Sequence, residues 1–311
     1  MNRSNQESKE QEMVLFSVVI TTYNRAGELR RTLQSLVEQT YKNFEVHVTD
    51  DGSIDDTRSV IAEFEPKLEL YYYWQKNWGG PARGRNVGMQ HSKGEWVAFL
   101  DADDWWYPEK LSIIAKLTPG IDVIYHELNY YNKFGPMNRK TNGRKLRNPY
   151  FEDLLINGNC LSNSATCVRR AILKRVGGVS EDRDLIAVED YDLWLRISRI
   201  SERFIYLSQS LGAYWEGEGT LSTHSWNYIK KIQNVTGRYI NELEGRNKKE
   251  AILREKYIVA RNKKALDDKS ALVDFFNITL YSKNLGLKIK SFIFGVMTLF
   301  GIQVFKKFRL K

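Results

Sequence analysis

Clustered carboxylates are the residues with the most evident chemistry. Asp101, Asp103 and Asp104 follow the apolar run Trp96 to Leu100 in the string WVAFLDADD. Carboxylates at i and i+2 at the end of a buried strand can hold a hard divalent cation that grips phosphate oxygens, and Mg2+ is satisfied by one or two carboxylates plus phosphates and water. Taken alone, the same aspartates also read as a solvated turn or a helix cap, with Asp104 capping a helix that begins near Tyr107 and Pro108. A second acidic pair, Glu189 and Asp190, opens a helical pattern with apolar residues at 193, 194 and 197, so both acids fall in its first turn, where ordinary helix N-terminal acids are also common. Asp192, two residues on, points in a different direction. Polar groups also gather at Thr21 to Arg25 and at Asp50 to Ser53. Neither a GxxxxGK[ST] loop nor a GxGxxG after the first strand is present, so a diphosphate here needs another counter-charge, which a cation on the aspartates would supply.

These residues need elements to position them. Phe16 to Thr22, Phe44 to Thr49, Leu68 to Trp74 and Trp96 to Leu100 are short apolar or β-branched runs that read as strands. Between them, Gly27 to Glu38, Asp55 to Phe64 and Arg83 to Gln90 carry apolar residues at spacings of three and four, which read as helices. Strand and helix alternating at this spacing imply βαβ units and a parallel sheet, an α/β nucleotide-binding half. Ligands of such sheets sit outside the carboxyl ends of the strands, where the polar clusters lie. After Ser225 strand signals stop and helical patterns follow, over Tyr228 to Glu244, Lys248 to Leu266 and Ser270 to Leu280.

Of the 311 residues 42% are hydrophobic, enough for a substantial core, and the two cysteines, Cys160 and Cys167, lack the spacing of a zinc knuckle and read as reduced core thiols. Residues 1–12, MNRSNQESKEQE, are polar without an apolar stretch, and residues 1–15 read as a disordered arm. The longest uncharged run, Ser291 to Phe305, falls short of the roughly 20 residues a spanning helix needs. From Phe275 to Lys311 there is no acid, while Lys283, Lys288, Lys290, Lys306, Lys307, Arg309 and Lys311 leave the rest of a chain of net charge +9 nearly neutral. A neutral body with a basic, apolar tail argues against nucleic acid as a partner. It fits an amphipathic helix lying on an anionic membrane surface through residues 283–311, with packing on the body or an oligomer interface through the C-terminal helices as the alternatives.

The segments FSVVITTYNR, DDGSIDDT, GRNVG, FLDADDWW and GGVSEDRDLIAVEDYDLWLRIS resemble, in the same order, the family 2 glycosyltransferases of the GT-A fold. The resemblance covers about residues 16–222 and implies a Rossmann-like, mostly parallel sheet with flanking helices. The catalytic domain then spans 16–224, with a nucleotide-binding half to about 104 and an acceptor half after it, followed by a helical region over 225–311. It also implies inverting transfer of a sugar from a nucleotide-sugar, by family habit a UDP-sugar, assisted by Mg2+ or Mn2+. Carried over residue by residue, Thr21, Tyr23 and Asp51 hold base and ribose, and Arg85 and Asn86 approach the base or diphosphate. Asp101 lies nearer ribose or donor sugar, Asp103 is the metal ligand, and Asp190 is the catalytic base. Gly178, Glu189 and Trp194 fall near acceptor and donor sugar. Where many members have an Arg and a His before a Ser-Leu-Ser turn, this chain has Trp215 and Gly219, so Glu216, Glu218 or His224 could complete a metal shell, or the diphosphate and water could. The acceptor is expected to be a lipid-linked oligosaccharide or surface polysaccharide, and the protein cytoplasmic, peripheral on the inner face of the membrane. A nucleotidyltransferase and a non-catalytic nucleotide-sugar-binding protein are the alternatives.

Overall fold

A computed structural model describes residues 14–217 and 224–302; Glu218, the basic end of the tail and all but the last two residues of the expected N-terminal arm lie outside them. The first half alternates as expected: β1 (Phe16–Thr22), α1 (Ala26–Val37), β2 (Phe44–Asp50), α2 (Thr57–Phe64), β3 (Leu70–Trp74), α3 (Pro81–His91) and β4 (Trp96–Asp101). β3 begins two residues later than its apolar run because the Leu68 amide still donates to Phe64 O at the end of α2. The second half holds β5 (Trp105–Trp106), α4 (Lys110–Ala115), β6 (Val123–Asn132), β7 (Gly135–Lys140), α5 (Tyr150–Asn157), β8 (Thr166–Arg169), α6 (Arg170–Arg175), α7 (Glu189–Ser198) and β9 (Phe204–Trp215). Helices α8 (Trp226–Gly237), α9 (Gly245–Ala265), α10 (Ala271–Tyr281) and α11 (Leu285–Leu299) follow.

One sheet runs through both halves in the order β3-β2-β1-β4-β8-β6-β9-β5, with β7 on the side of β6. β1 to β4 are parallel, β8 is antiparallel to both β4 and β6, and β6 is parallel to β9. The carboxyl ends of β4 and β6 therefore open on the same edge.

Strand alternation divides the core into two layers. Val18, Ile20, Ala98 and Leu100 face α1 and α2, where Leu29 and Leu33 cover them. Val19, Val97 and Phe99 face the opposite layer, which includes Trp194 of α7. A third cluster, with Tyr257, Phe275, Ile278 and Leu287, joins α9, α10 and α11. No helix among the described residues is long and apolar enough to cross a membrane.

Two glycines set the depth of α3. Cβ atoms at Gly84 and Gly88 would stand 2.8 Å from Thr21 Cγ2 and 2.7 Å from Val19 Cγ1. At i and i+4 these bare positions share one helix face, so α3 lies directly on the sheet, with Arg85 beside the end of β4.

Candidate active site

The turn after β4 is held from below by α1. Thr32 Oγ1 lies 2.8 Å from Ala102 O and 2.7 Å from Asp104 O, and Arg31 Nη2 donates to Asp103 O at 2.7 Å. Ser35 Oγ accepts the Trp106 amide, and Gln39 donates to Tyr107 O while accepting the Leu111 amide. One face of α1, continued by Gln39 two residues past its end, therefore fixes the segment 102–111. The Arg31 guanidinium is also stacked between Trp105 and Trp215, 4.2 and 4.4 Å from their ring centres.

Asp104 is a correction to the expected helix cap. It is buried, and its Oδ1 accepts the Trp215 amide at 2.8 Å, tying the turn to the end of β9, while α4 begins only at Lys110. Burial foremost, then Asp103 and Asp101, push its carboxyl well above the usual range. Asp103 stays partly open and pairs with Arg25, Nη1 to Oδ2 3.1 Å. Burial and the nearby Asp101 raise it to about 6 against the pull of Arg25.

Arg85 is the centre of the arrangement. It is buried, donating from Nη2 to Asp101 Oδ1 at 2.8 Å and from Nη1 to Glu189 Oε1 at 2.5 Å, so one guanidinium joins the end of β4 to the start of α7. Burial disfavours its charge, yet Asp101 and Glu189 more than restore it and hold its pKa above the ordinary value. Asn163 Nδ2 donates to the same Asp101 oxygen at 2.7 Å. Glu189 is buried with Oε2 lacking a hydrogen-bond partner.

Asp190, next along, is only partly covered. It accepts the Tyr191 amide at Oδ1, and burial with the charge of Glu189 lifts its pKa to about 7 against the pull of Arg85. Ala187, just before the helix, is held at φ 77, a left-handed conformation costly for a residue with a Cβ and common at functional turns. Tyr228 of α8 is near enough that, after burial, Asp190 raises its hydroxyl pKa to about 12. Asp192 is committed elsewhere, to Tyr239 and Arg196.

The remaining expected site residues divide. Thr21 stands in register between Thr49 and Asp101 at the open edge, and Tyr23 presents an exposed ring beyond it. Asp51 is buried and accepts from Gln75 Nε2 and the amides of Trp78 and Gly79, thereby shaping the loop that leads into α3. Asn86 is used similarly: its side chain exchanges hydrogen bonds with the backbone of Val179 and reaches Glu181, pinning the loop at Gly178, whose φ is 75. Trp194 belongs to the core. It has no exposed surface and meets Phe99 edge-on at 6.1 Å, because α7 turns its apolar face onto the sheet and leaves only its first turn in the cleft.

A divalent ion fits the chemistry of the Asp103 turn, since one partly open carboxylate with a second at i−2 suits an ion that takes its other ligands from phosphate and water. Among the described residues no group of three His, Cys, Asp or Glu could hold a metal by itself. Glu216 is paired with Arg139, and His224 Nδ1 lies 2.6 Å from Asn262 Oδ1, so both have structural partners. Arg31, Thr32, Asn163 and Tyr228 were not legible as site residues; the only signal was polar residues at helical spacing on the inner face of α1.

A parallel β3-β2-β1-β4 half, opened at an acidic turn and continued by an antiparallel β8, is the arrangement of the GT-A fold. Residues 1–349 of S. aureus TarS match with a TM-score of 0.64 at 21% identity, over 94% of this chain and 93% of that one. The same protein in complex with UDP-GlcNAc matches with a TM-score of 0.58 at 23% identity, over 91% and 81%. The mannosyltransferase PcManGT from Pyrobaculum calidifontis, in complex with GDP-Man and Mn2+, gives 0.59 at 19%, over 93% and 85%. The chain belongs to the glycosyl transferase family 2, whose model matches residues 17–177, more than half its length. An uncharacterized glycosyltransferase of Haemophilus influenzae is 27% identical over 241 residues, 74% of this chain and 79% of that one. The uncharacterized glycosyltransferase RC0461 of Rickettsia conorii is 37% identical over 123 residues, 38% of this chain but only 20% of that one, so this chain spans a fifth of that relative's length.

Proposed function

We propose that this glycosyltransferase moves a sugar from a nucleotide-sugar, a UDP-sugar first, to a hydroxyl of a lipid-linked oligosaccharide or surface polysaccharide, with inversion at the anomeric carbon. The observation that carries the reading is the chain of contacts Asp101–Arg85–Glu189, which joins the end of β4 to the start of α7, where the partly exposed Asp190 has a pKa of about 7. Solved neighbours in complex with UDP-GlcNAc and with GDP-Man and Mn2+ support a nucleotide-sugar donor.

Tyr23 offers a ring face to the base, and Thr21 a hydroxyl at the strand end. Asp51 already accepts three hydrogen bonds, so it reaches uracil or ribose only through its remaining lone pair. Arg85 fixes Asp101 and Glu189 in place, while Arg25 is the cation beside Asp103. Asp103 would hold Mg2+ or Mn2+, and such an ion would supply positive charge for the diphosphate. Asp190 takes the proton of the acceptor hydroxyl as that oxygen bonds to the anomeric carbon. The carbon–phosphate oxygen bond breaks on the opposite side, and the nucleoside diphosphate leaves with the electron pair. A pKa near 7 leaves about half of this base ionised at neutral pH and makes it a stronger proton acceptor than an ordinary carboxylate. The setting is the inner face of a membrane, where a lipid-linked acceptor is presented.

A panel of nucleotide-sugars incubated with Mn2+ tests the reading. Slow release of a nucleoside diphosphate supports it; release of pyrophosphate identifies a nucleotidyltransferase, and donor binding without turnover identifies a binding protein.

A further inference from the structure

Helices α10 and α11 are apolar on two sides. On one, Phe275 and Ile278 of α10 and Leu287 of α11 are buried against Tyr257 of α9. On the other, Val273, Phe276 and Leu280 of α10 are exposed at spacings of three and four. Leu285, Ile289, Phe292, Val296 and Leu299 of α11 repeat the pattern. A helix apolar all round belongs in a core or a bilayer, and scattered single hydrophobes do not produce two aligned stripes on one hairpin. The sequence suggested a terminal tail that would either bind membrane or pack on the body. The hairpin does pack, with Ser282 Oγ and the Lys283 amide anchored on Glu250, and it still exposes a second apolar face.

Charge decides what covers that face. Lys283 and Lys290 are exposed on the hairpin, and the sequence from Phe275 onward contains no acid. The one acid of α10, Asp274, is neutralised by Lys263 of α9 at 2.8 Å. A second copy of the chain would bring like charges together, whereas anionic headgroups would meet the lysines while the apolar stripes enter the acyl boundary.

We propose that the α10–α11 hairpin is a rigid monotopic membrane platform, seated on α9, that lies in the surface of an anionic bilayer. It deepens the proposed setting of the enzyme and rests on that reading only for its purpose, delivery of the site to a lipid-linked acceptor.

The test uses the full chain and needs no sugar chemistry, so its failure is distinct from failure of the proposed reaction. Flotation with phosphatidylglycerol-containing vesicles is compared for the intact chain and for Phe276→Ser/Ile289→Ser/Phe292→Ser, alongside the solution mass of each. Partitioning of the intact chain that falls about tenfold in the triple variant and weakens with added salt is the expected result. Lys283→Glu/Lys290→Glu, exposed positions that leave the apolar packing untouched, gives a second reading if the triple variant fails to fold, and should lose binding to anionic vesicles. Equal flotation of variant and intact chain overturns the proposal. So does a dimer of the intact chain that dissociates in the triple variant without any vesicle binding, which would make the face a contact between copies.

Discussion

A carboxylate works as a base near neutral pH only if its surroundings resist its ionisation without abolishing it. Asp190 meets that condition because burial and Glu189 push its pKa to about 7 while Arg85 pulls the other way. Asp190→Asn should leave donor and metal affinity nearly intact while transfer falls by about 10²- to 10⁴-fold. In the wild type, kcat/KM should rise with pH through about 7 and then level. The stability effect has the opposite sense. A carboxyl whose folded pKa is raised binds its proton more tightly in the folded state, so stability is lost as pH rises from the unfolded value toward about 7. Asp190→Asn should therefore melt above the wild type at pH 8, with the gap closing toward pH 4, as thermal scans across that range would record. For Asp103→Ala, Mn2+-dependent donor binding should be lost along with rate, measured by titration calorimetry with and without the ion. Asp101, Asp103 and Asp190 could be picked out from sequence because each lies in a short local string at an element's end. Asp104 could not be placed, because its partner Trp215 lies 111 residues away.

Elements carry this chemistry by how closely they lie. The parallel half was legible because buried β-branched runs and helical spacing alternate there. β8, four residues long and flanked by antiparallel neighbours, has no such pattern, and neither does the two-residue β5. The grip of α1 on the turn after β4 was equally hidden, since Thr32, Ser35 and Gln39 look like ordinary polar positions until their buried partners are seen. Thr32→Val should cost about 1–3 kcal/mol in urea unfolding, because the one hydroxyl donor that the turn carbonyls of Ala102 and Asp104 share is lost. Gly84→Ala tests the depth of α3. Helix propensity alone favours alanine by about 1 kcal/mol, yet the new Cβ meets Thr21 Cγ2 at 2.8 Å, so net destabilisation with loss of activity is expected as Arg85 is carried outward.

At the scale of the whole molecule, Arg85 joins the end of β4 to the start of α7, and the C-terminal part of the sequence sets the asymmetry of charge. Seven basic residues without an acid lie from Phe275 onward, leaving the remainder of the chain at +2. The resemblance foresaw Trp194 near the sugars, but the burial of both faces of this sheet claims it for the core. The central claim is that the cleft transfers a sugar with Asp190 as base, and the most direct test measures the nucleotide released from a UDP-sugar with Mn2+ by the wild type and by Asp190→Asn side by side. The wild type should release UDP, and the variant, binding donor with similar affinity, should release it about 10²- to 10⁴-fold more slowly. Equal rates in the two proteins, or pyrophosphate as the product, would contradict the account.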